Sequence, residues 1–322
     1  MNAHRVNIKN IMKECIKMIK KKTVTIIGAN SYIARNLIHV LKQRDDITIA
    51  GLYDRDPKHA DGEEKYEQVD LFSEESINKI NFCVDLIFHF VGKTGSYNGF
   101  SDHNAFINVN EVSLLNILDA YRKQNSKAEL IFPSTRLVYK GRAGLLKEDD
   151  DKEFKTIYSI NKYACETYLQ QYHRMFGVDY CIFRICVPYG SLVENAVSYG
   201  TAEMMLSKAQ EGKNRVLYGN GEVRRTITYI GDLCNCLIAG SLSDRCRNDV
   251  FNIGGENYSL KEMGTLIAKN YGVDVDYIDW PTDAKKIESG DTVFDDKKLS
   301  DIINYKMQMT FEEWITDFSK KE

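Results

Sequence analysis

The sequence predicts an α/β protein built on a doubly wound parallel sheet, followed by a smaller C-terminal α/β lobe. Three observations support this class. Short β-branched runs alternate with longer amphipathic stretches, which is the pattern of repeated βαβ units. These runs are almost continuously hydrophobic, as expected for strands covered by helices on both faces. The regular alternation stops after residue 187, which places the second lobe in the C-terminal part of the chain.

The elements follow in order along the chain. Strands are expected at residues 23–28, 47–54, 66–70, 84–92, 129–134 and 179–185, and helices at 31–44, 73–80, 104–124 and 157–176. Beyond residue 187 we expect helices near 201–212, 231–243, 259–271 and 310–320, and a strand near 215–218. Open α/β sheets bind ligands at the carboxyl ends of their strands, so the site is expected there, between the two lobes.

Three domains are predicted: a basic extension over 1–22, a nucleotide-binding domain over 23–186, and mainly a substrate-binding lobe over 187–322. The extension carries six lysines, and its apolar residues recur at helical spacing. A basic amphipathic helix for an anionic surface is one interpretation. A plain extension of the fold, or translation from Met18, is another.

Composition excludes several classes of function. The 43 basic and 46 acidic residues give a net charge of −3, so no global attraction to nucleic acid is expected. The eight cysteines contain no CxxC pair, which favours a reducing, cytoplasmic setting. No apolar run approaches the roughly 20 residues that cross a bilayer. The six histidines lack ligand spacing, so no metal site is predicted, and His89 is expected to be a buried polar group with its hydrogen bonds made.

The segment TVTIIGANSYIARNL (23–37) reads as a strand, a tight turn and the start of a helix. Backbone amides and the helix N-terminus at such a turn can hold a pyrophosphate. Only Gly28 remains of the three glycines of the usual pattern, with Ser31 and Ala34 at the other two positions. Taken alone, the turn also fits an ordinary βα connection.

Acidic residues end the next two predicted strands. A carboxylate at Asp54 would accept hydrogen bonds from an adenosine ribose and repel a 2′-phosphate, which favours NAD over NADP. Arg55 follows directly and could stack on adenine or bind a 2′-phosphate, so NADP stays possible. Asp70 is either an adenine contact or a helix-capping residue.

The segment YSINK (158–162) places a phenol and an ammonium four positions apart, on one face of the predicted helix. The pair is either a catalytic base with its tuning cation or two residues of a surface helix. A phenol with an ordinary pKa near 10 is a poor base at neutral pH.

The order of the motifs decides between these interpretations. They are GANSYIA, Asp54, Asp70, FHFVG, NVNEVSLLNILDA, FPSTRLVY, YSINK, FRICVPYG, GNGEVRRTITYIGD and FNIGG. From about residue 23 to the C-terminus, the chain resembles the extended short-chain dehydrogenase/reductases of the nucleotide-sugar epimerase/dehydratase family. The resemblance implies a Rossmann-type fold and a catalytic set of Tyr158, Lys162, Thr135 and Asn110. Lys162 and an oxidised nicotinamide would both lower the pKa of Tyr158.

The resemblance also implies the ligand contacts. The expected cofactor contacts are Gly28, Asn30, Ser31, Tyr32, Ile33, Asp54, Arg55, Asp70, Leu71, Val91, Gly92, Lys93, Tyr158 and Lys162. The expected substrate contacts are Thr135, Arg136, Val187 and Arg225. Arg225 matches the arginine that grips the diphosphate, whereas Val187 stands where many members have an asparagine.

Two residues limit the reactions that the resemblance allows. Family members that eliminate water carry Asp and Glu after the hydroxyl of the fifth strand, but Arg136 and Leu137 follow Thr135 here. We therefore expect an NAD-dependent epimerase of a nucleoside-diphosphate sugar, most simply at C4 through a 4-keto intermediate. The alternatives are an NAD(P)H-dependent reductase of a nucleotide ketosugar and a non-catalytic dinucleotide-binding protein.

The family's usual setting supplies the remaining expectations. Cell-surface polysaccharide synthesis is the common use of such enzymes. A homodimer is expected through the helices at 104–124 and 157–176, with an apolar seam that could include Leu114, Leu118, Tyr168 and Tyr172.

Overall fold

The structure is a computed structural model, and it describes residues 21–56, 66–196, 198 and 200–319. The predicted helix of the basic extension therefore lies outside the described residues. Within the described ranges, every helix is too short or too polar to cross a bilayer.

The described strands and helices are numbered here in chain order. The strands are β1 (Lys22–Ile27), β2 (Ile47–Asp54), β3 (Glu67–Gln68), β4 (Leu86–His89), β5 (Glu129–Thr135), β6 (Leu145–Leu146), β7 (Tyr180–Ile185), β8 (Val187–Tyr189), β9 (Arg215–Tyr218), β10 (Arg224–Tyr229), β11 (Asp249–Asn252), β12 (Glu256–Ser259), β13 (Val275–Ile278) and β14 (Val293–Phe294). The helices are α1 (Tyr32–Lys42), α2 (Glu74–Ile77), α3 (Asn98–Ser101), α4 (His103–Ile107), α5 (Ser113–Lys123), α6 (Ile157–Phe176), α7 (Thr201–Gln210), α8 (Ile230–Ser241), α9 (Leu260–Tyr271), α10 (Thr282–Ile287), α11 (Lys297–Ile303) and α12 (Phe311–Ser319).

Seven parallel strands form the central sheet in the order β11-β7-β5-β4-β1-β2-β3. The direction of winding reverses between β1 and β4, so the carboxyl ends of these two strands border the crevice where such sheets bind ligands. Apolar residues cover both faces. One face packs against α1 and α8, and the other packs against α5 and α6. The predicted doubly wound Rossmann-type sheet is therefore confirmed.

The smaller sheets lie mainly in the C-terminal part of the chain. β12, β10 and β8 form one sheet, β13 pairs with β9, and β14 pairs with β6. A separate apolar cluster packs helices α7, α9 and α12 against these strands. The strand at 215–218 was predicted, whereas β8, β10 and β12 were not. The boundary at 186/187 stays a prediction, and β11 returns from beyond it to the edge of the central sheet.

The predicted helix at 104–124 is divided into three parts. A π-helix over Asn108–Val112 separates α4 from α5. Leu114 and Leu118 are fully buried against the sheet, so their predicted place in an apolar dimer seam is wrong: they occupy the inward face of α5. Tyr168 and Tyr172 are half-buried on α6 and donate hydrogen bonds to Glu111 and Asp119.

Candidate active site

The turn after β1 is held against the neighbouring strands. The backbone N–H groups of Gly28 and Ala29 donate to the Tyr53 carbonyl at 2.8 and 3.1 Å. Gly28 has φ +82°, and a Cβ there would lie 2.6 Å from the Val91 nitrogen. The left-handed backbone and the close approach both require glycine, so this position keeps its glycine although the other two are replaced.

Ser31 is the N-cap residue of α1, but its side chain makes no capping hydrogen bond. Its Oγ is buried and has no hydrogen-bond partner among the described residues. Asn30 next to it donates its backbone N–H to Asp54. The helix N-terminus therefore presents a spare hydroxyl and backbone amides, which is the donor set that binds a phosphate.

The other two predicted cofactor contacts in this turn are placed differently. The Tyr32 hydroxyl donates to the Gly190 carbonyl at 2.7 Å and so holds the loop after β8. Ile33 packs against the apolar core on the α1 face of the sheet.

Asp54 closes β2 beside the turn. One carboxylate oxygen accepts from the Asn30 nitrogen at 2.9 Å, and the other accepts from the Asp56 nitrogen at 3.1 Å. A carboxylate has about four acceptor sites, so Asp54 keeps acceptors for ribose hydroxyls. Arg55 is exposed directly after it.

Asp70 and Leu71 follow the third strand, which ends at Gln68. The Asp70 side chain accepts from the Phe72 nitrogen at 2.9 Å, which stabilises its own turn. The helix-capping role suggested for it belongs to Ser73, whose hydroxyl accepts from the Ser76 nitrogen. Leu71 is buried in the core, and its carbonyl accepts from Asn116.

The loop after β4 brings Val91, Gly92 and Lys93 to the site. A Cβ at Gly92 would lie 3.1 Å from the Asn110 Oδ1 and 3.7 Å from the Lys162 Nζ. The Lys93 ammonium pairs with Asp102 at 2.7 Å, and Val91 packs against the α5/α6 face of the core. Because Gly92 has no side chain, its backbone lies directly beside Asn110 and the Lys162 ammonium.

Tyr158 lies in the first turn of α6, which Thr156 and Ser159 begin with a capping box. The Tyr158 phenol lies close enough to the Thr135 hydroxyl at the end of β5 for that hydroxyl to donate to the phenolate. Burial raises the pKa of Tyr158 above its ordinary value, and the Thr135 hydrogen bond only partly offsets this rise. The protein groups alone therefore do not produce the predicted lowering, because desolvation of the phenolate outweighs them.

Lys162 is buried one turn further along α6. Its Nζ donates to the Pro133 carbonyl at 2.9 Å and lies 4.4 Å from the centre of the Phe132 ring. Burial lowers the pKa of this ammonium to about 8. Lys162 and Tyr158 are thus both fixed against β5.

Asn110 lies in the π-helix between α4 and α5. Its Oδ1 accepts from the Lys93 nitrogen at 2.9 Å, and its Nδ2 donates to the Lys93 carbonyl at 3.1 Å. Single π-turns often occur at functional sites because they redirect one side chain. This π-turn therefore fixes the loop that contains Gly92 and Lys93.

Sequence reasoning missed a buried ion pair behind helix α6. Arg184 on β7 donates from Nε and Nη2 to the two carboxylate oxygens of Glu166 at 3.0 and 2.6 Å. Ser134 also donates to Glu166, and the Arg184 Nη1 donates to the Tyr139 hydroxyl at 2.8 Å. Glu166 follows Lys162 by one turn, so the pair anchors the Lys162 face of α6 to the sheet. An arginine inside the apolar run CIFRI was the available signal.

The expectation for His89 was wrong. Neither ring nitrogen has a hydrogen-bond partner among the described residues. Burial and the nearby Lys162 charge lower the pKa of His89 to about 3. The ring stacks on Phe132 with centroids 6.3 Å apart, so a neutral imidazole fills this place beneath the site.

A pocket of about 510 Å³ opens at Arg136 and Leu137, the two residues that follow Thr135, between the central sheet and the smaller sheets. Arg136, Leu137, Arg215, Tyr218 and Trp280 are among its lining residues. The Arg136 Nη1 donates to the Ser289 Oγ at 2.9 Å, and burial with the Arg225 charge lowers the pKa of Arg136 to about 10.

The other two predicted substrate residues lie behind this surface. Arg225 is buried and donates to Glu288 at 2.5 Å and to the Gly290 carbonyl at 2.6 Å. The chain itself therefore already binds this guanidinium. Val187 is buried on β8 in the apolar cluster of the C-terminal part.

The structure thus brings Tyr158, Thr135, Lys162, Asn110 and Gly92 together beside the Gly28 turn. In the part of the chain that the structure describes, no group of three or more His, Cys, Asp or Glu side chains is arranged to hold a metal ion.

A family model described as the NAD dependent epimerase/dehydratase family matches residues 24–254. The chain belongs to this family. A curated relative, the putative UDP-glucose 4-epimerase of Methanocaldococcus jannaschii, is 22% identical over 255 residues, which are 77% of this chain and 82% of the relative.

Solved structures of family members share the fold. The UDP-N-acetylglucosamine 4-epimerase of Methanobrevibacter ruminantium, solved with UDP-N-acetylmuramic acid, has a TM-score of 0.78 at 23% identity over 94% of this chain and 98% of its own. The UDP-glucose 4-epimerase of Thermus thermophilus, solved with NAD, has a TM-score of 0.79 at 19% identity over 92% and 98% of the two chains.

Proposed function

We propose that the chain is an NAD-dependent epimerase of a nucleoside-diphosphate sugar, acting most simply at C4 through a transient 4-keto sugar. One observation carries the proposal: the Tyr158 phenol lies beside the Thr135 hydroxyl at the end of β5, and the Lys162 ammonium lies one helical turn further on, next to Gly92. A phenol, a hydroxyl and an ammonium beside a dinucleotide turn suit the removal of a proton and a hydride from a secondary alcohol.

The residues present fit NAD. Ser31 offers a hydroxyl that has no partner among the described residues, and glycine at position 28 lets the turn pack directly against the backbone of Val91 at the carboxyl end of β4. Ser31 and the turn amides would hold the pyrophosphate, Asp54 the adenosine ribose, and Lys162 the nicotinamide ribose. Bound NAD supplies the hydride acceptor and then returns the same hydride.

The proton moves through the chain's own groups. Tyr158 accepts the proton of the sugar hydroxyl. It returns the proton after the keto sugar has rotated and presents its opposite face to the cofactor. Burial alone makes Tyr158 a poor base. The positive charges of Lys162 and of an oxidised nicotinamide would stabilise the phenolate against that burial, and Thr135 positions the reacting hydroxyl.

The lining of the pocket favours epimerisation over elimination or decarboxylation. Arg136 and Leu137 follow Thr135, and neither can transfer a proton as a carboxylate does. The acidic residue in the described pocket lining is Glu288, and Arg225 binds it. A reaction that needs Tyr158, Thr135 and the hydride carrier alone is therefore the best supported.

A reductase of a nucleotide ketosugar is the second candidate. Arg55 is exposed beside Asp54, where it could bind the 2′-phosphate of NADPH. The two candidates differ in whether the cofactor is consumed.

We test the proposal by incubating the protein and NAD with UDP-glucose, UDP-N-acetylglucosamine, UDP-glucuronate, dTDP-glucose and GDP-mannose, and by following the products by NMR. We expect one C4 epimer without net NADH, and a substrate deuterated at C4 should keep its label because the same hydride returns. Loss of the deuterium to solvent would contradict the mechanism. Stoichiometric oxidation of NADPH by a ketosugar would establish the reductase, and no turnover with NAD bound would favour the non-catalytic alternative.

A cytoplasmic homodimer remains part of the proposal. Ile160, Met175 and Phe176 are exposed apolar residues of α6 and could supply the seam in place of Leu114 and Leu118. Light scattering of the purified protein measures the mass, and a monomer at micromolar concentration would contradict the dimer.

A further inference from the structure

The pocket at Arg136 and Leu137 carries an excess of positive charge. Arg136, Lys208 and Arg215 line it, whereas Glu288 is the acidic lining residue among those described. Glu288 pairs with Arg225 behind the surface at 2.5 Å and attracts Arg136 only at longer range, so the cations of the described lining outnumber its carboxylates. A nucleoside-diphosphate sugar with a neutral sugar brings two negative charges, one fewer than this lining would balance.

Two of the three cations lie away from the catalytic residues. Arg215 begins β9, the residue is 2% exposed, and its Nε and Nη1 have no hydrogen-bond partner among the described residues. A buried guanidinium without a partner is costly, so an anion is expected to reach it. The Tyr218 and Trp280 rings, with centroids 5.3 Å apart, flank this end, and aromatic rings there suit a nucleobase. This end fits the nucleotide and its diphosphate.

Arg136 directly follows Thr135 in the chain, so it is the lining cation next to the proposed catalytic set. Its side chain is bound by two neutral hydroxyls, the Ser289 Oγ at 2.9 Å and the Thr292 Oγ1 at 3.5 Å. None of the carboxylates described lies within 4 Å of it, although a guanidinium has five N–H donors. The hydroxyls orient the guanidinium without neutralising it.

We propose that Arg136 binds a carboxylate on the sugar, so that the substrate is a nucleoside-diphosphate uronic acid. This inference rests on the proposed function and narrows its substrate class. The diphosphate binds to Arg215 and Lys208. The sugar carboxylate binds to Arg136, next to the reacting carbon. An arginine suits a carboxylate because its planar fork can donate two parallel hydrogen bonds.

The test compares ligands that differ at C6 alone. We first measure by calorimetry, with NAD present, which of UDP, dTDP, GDP and CDP binds most tightly to the Tyr158→Phe variant, which holds ligands without turnover. For UDP the pair is UDP-glucose and UDP-glucuronate, and for another base it is the neutral hexose and its C6 acid on that base. We expect the uronate to bind about 10- to 100-fold more tightly, as one charge-assisted pair allows.

Matched substitutions assign the preference to a residue. Arg136→Gln should remove the preference for the uronate while leaving the affinity for the neutral sugar nearly unchanged, and Arg136→Lys should keep part of it. Arg215→Gln should weaken both sugars and the free nucleoside diphosphate by the same factor, since it acts at the nucleotide end. Thermal melts of each variant separate these effects from unfolding.

The outcomes separate this inference from the proposed function. Equal affinities for the two sugars, or a loss of both in Arg136→Gln, would overturn the inference and leave the epimerase proposal standing, because Arg136 would then serve the diphosphate or the fold. Failure of all four nucleoside diphosphates to bind would overturn both.

Discussion

Two buried arginines, Arg184 behind helix α6 and Arg215 in the pocket, have similar exposures of 3% and 2%. Arg184 donates to both carboxylate oxygens of Glu166 and to the Tyr139 hydroxyl. Arg215 leaves two nitrogens without a partner among the described residues. A buried charge that the chain pairs itself is part of the scaffold, whereas one that it leaves unpaired marks where a ligand is expected.

The same contrast holds for the regions around these residues. The wall behind α6, formed by Arg184, Glu166, Ser134 and Tyr139, makes its polar contacts within the chain. It holds the helix that carries Tyr158 and Lys162. The surfaces that face the cofactor turn and the pocket keep Ser31, Arg136 and Arg215 with donors to spare. Changes in the wall should therefore act on stability, and changes on the open surfaces should act on binding and turnover.

Tyr158→Phe should have the largest effect on turnover. Removing the hydroxyl that exchanges the proton should lower kcat by about 10²- to 10⁴-fold, while NAD affinity and the melting temperature stay unchanged. Steady-state assays with the substrate found by NMR, together with calorimetry for NAD, measure both. Activity near that of the original protein would show that another residue is the base.

Glu166→Gln should have the largest effect on stability. It leaves Arg184 buried without its carboxylate, and breaking a buried pair costs about 3–5 kcal/mol. Urea denaturation measures the free energy of unfolding. The matched control is the double variant Glu166→Leu/Arg184→Met, which removes both charges and should lose less. If the single and double variants lose equally, the Arg184 charge is not what the carboxylate supports.

Arg215→Met should behave in the opposite way. Because its guanidinium lacks partners among the described residues, its removal should leave the free energy of unfolding unchanged or raise it. Loss of one charge-assisted contact should weaken the nucleoside diphosphate by about 1.5–3 kcal/mol. Calorimetry and denaturation of the same sample measure both quantities. A destabilised variant that still binds the nucleotide normally would erase the contrast with Arg184.

The pH dependence of turnover sharpens the role of Lys162, which lies between the two regions. Burial lowers its pKa to about 8, so the ammonium is present below that pH and lost above it. If the charge is required, kcat should fall about tenfold between pH 7 and pH 9. A rate that stays level or rises through pH 9 would show that the charge of Lys162 is not needed.

His89 should change how the stability of the protein depends on pH. Its pKa is lowered to about 3 in the folded protein, so the stability from keeping the imidazole neutral is present above pH 6.5 and is lost as the pH falls towards 3. The loss should approach about 1.4 kcal/mol per pH unit. The free energies of unfolding at pH 7 and pH 5 should therefore differ less for His89→Phe than for the original protein. If the free energy changed equally with pH in both proteins, His89 would have a partner in the folded state.

Much of the fold could be predicted because its signals are local. The helix at 157–176 begins with a Thr156 cap and ends at Gly177 in the left-handed conformation, and the β-branched runs mark the buried strands. The π-helix at Asn108–Val112 could not be predicted, since no residue in NVNEV breaks a helix. Strands β8 and β10 were missed because their pairing partners lie far away in the sequence.

The site divides in the same way. The order of the motifs led to Tyr158, Lys162 and Thr135, but which arginine the chain pairs depends on distant residues. Arg225 has the expected motif position, yet Glu288 and Gly290 bind it from 63 and 65 residues away. Arg215 carries no motif and was missed, because only the folded chain shows that it is buried in the pocket lining.

Identifying the cofactor that the protein holds tests most directly whether it is an NAD-dependent epimerase that regenerates its own cofactor. The purified protein is incubated with equal NAD and NADP, desalted and denatured, and the released nucleotide is identified by mass spectrometry. We expect NAD at close to one per chain, and Asp54→Ala should lower the selectivity for NAD over NADP. NADP in place of NAD would contradict the self-regenerating epimerase, and release of neither would contradict a dinucleotide site at Gly28 and Ser31.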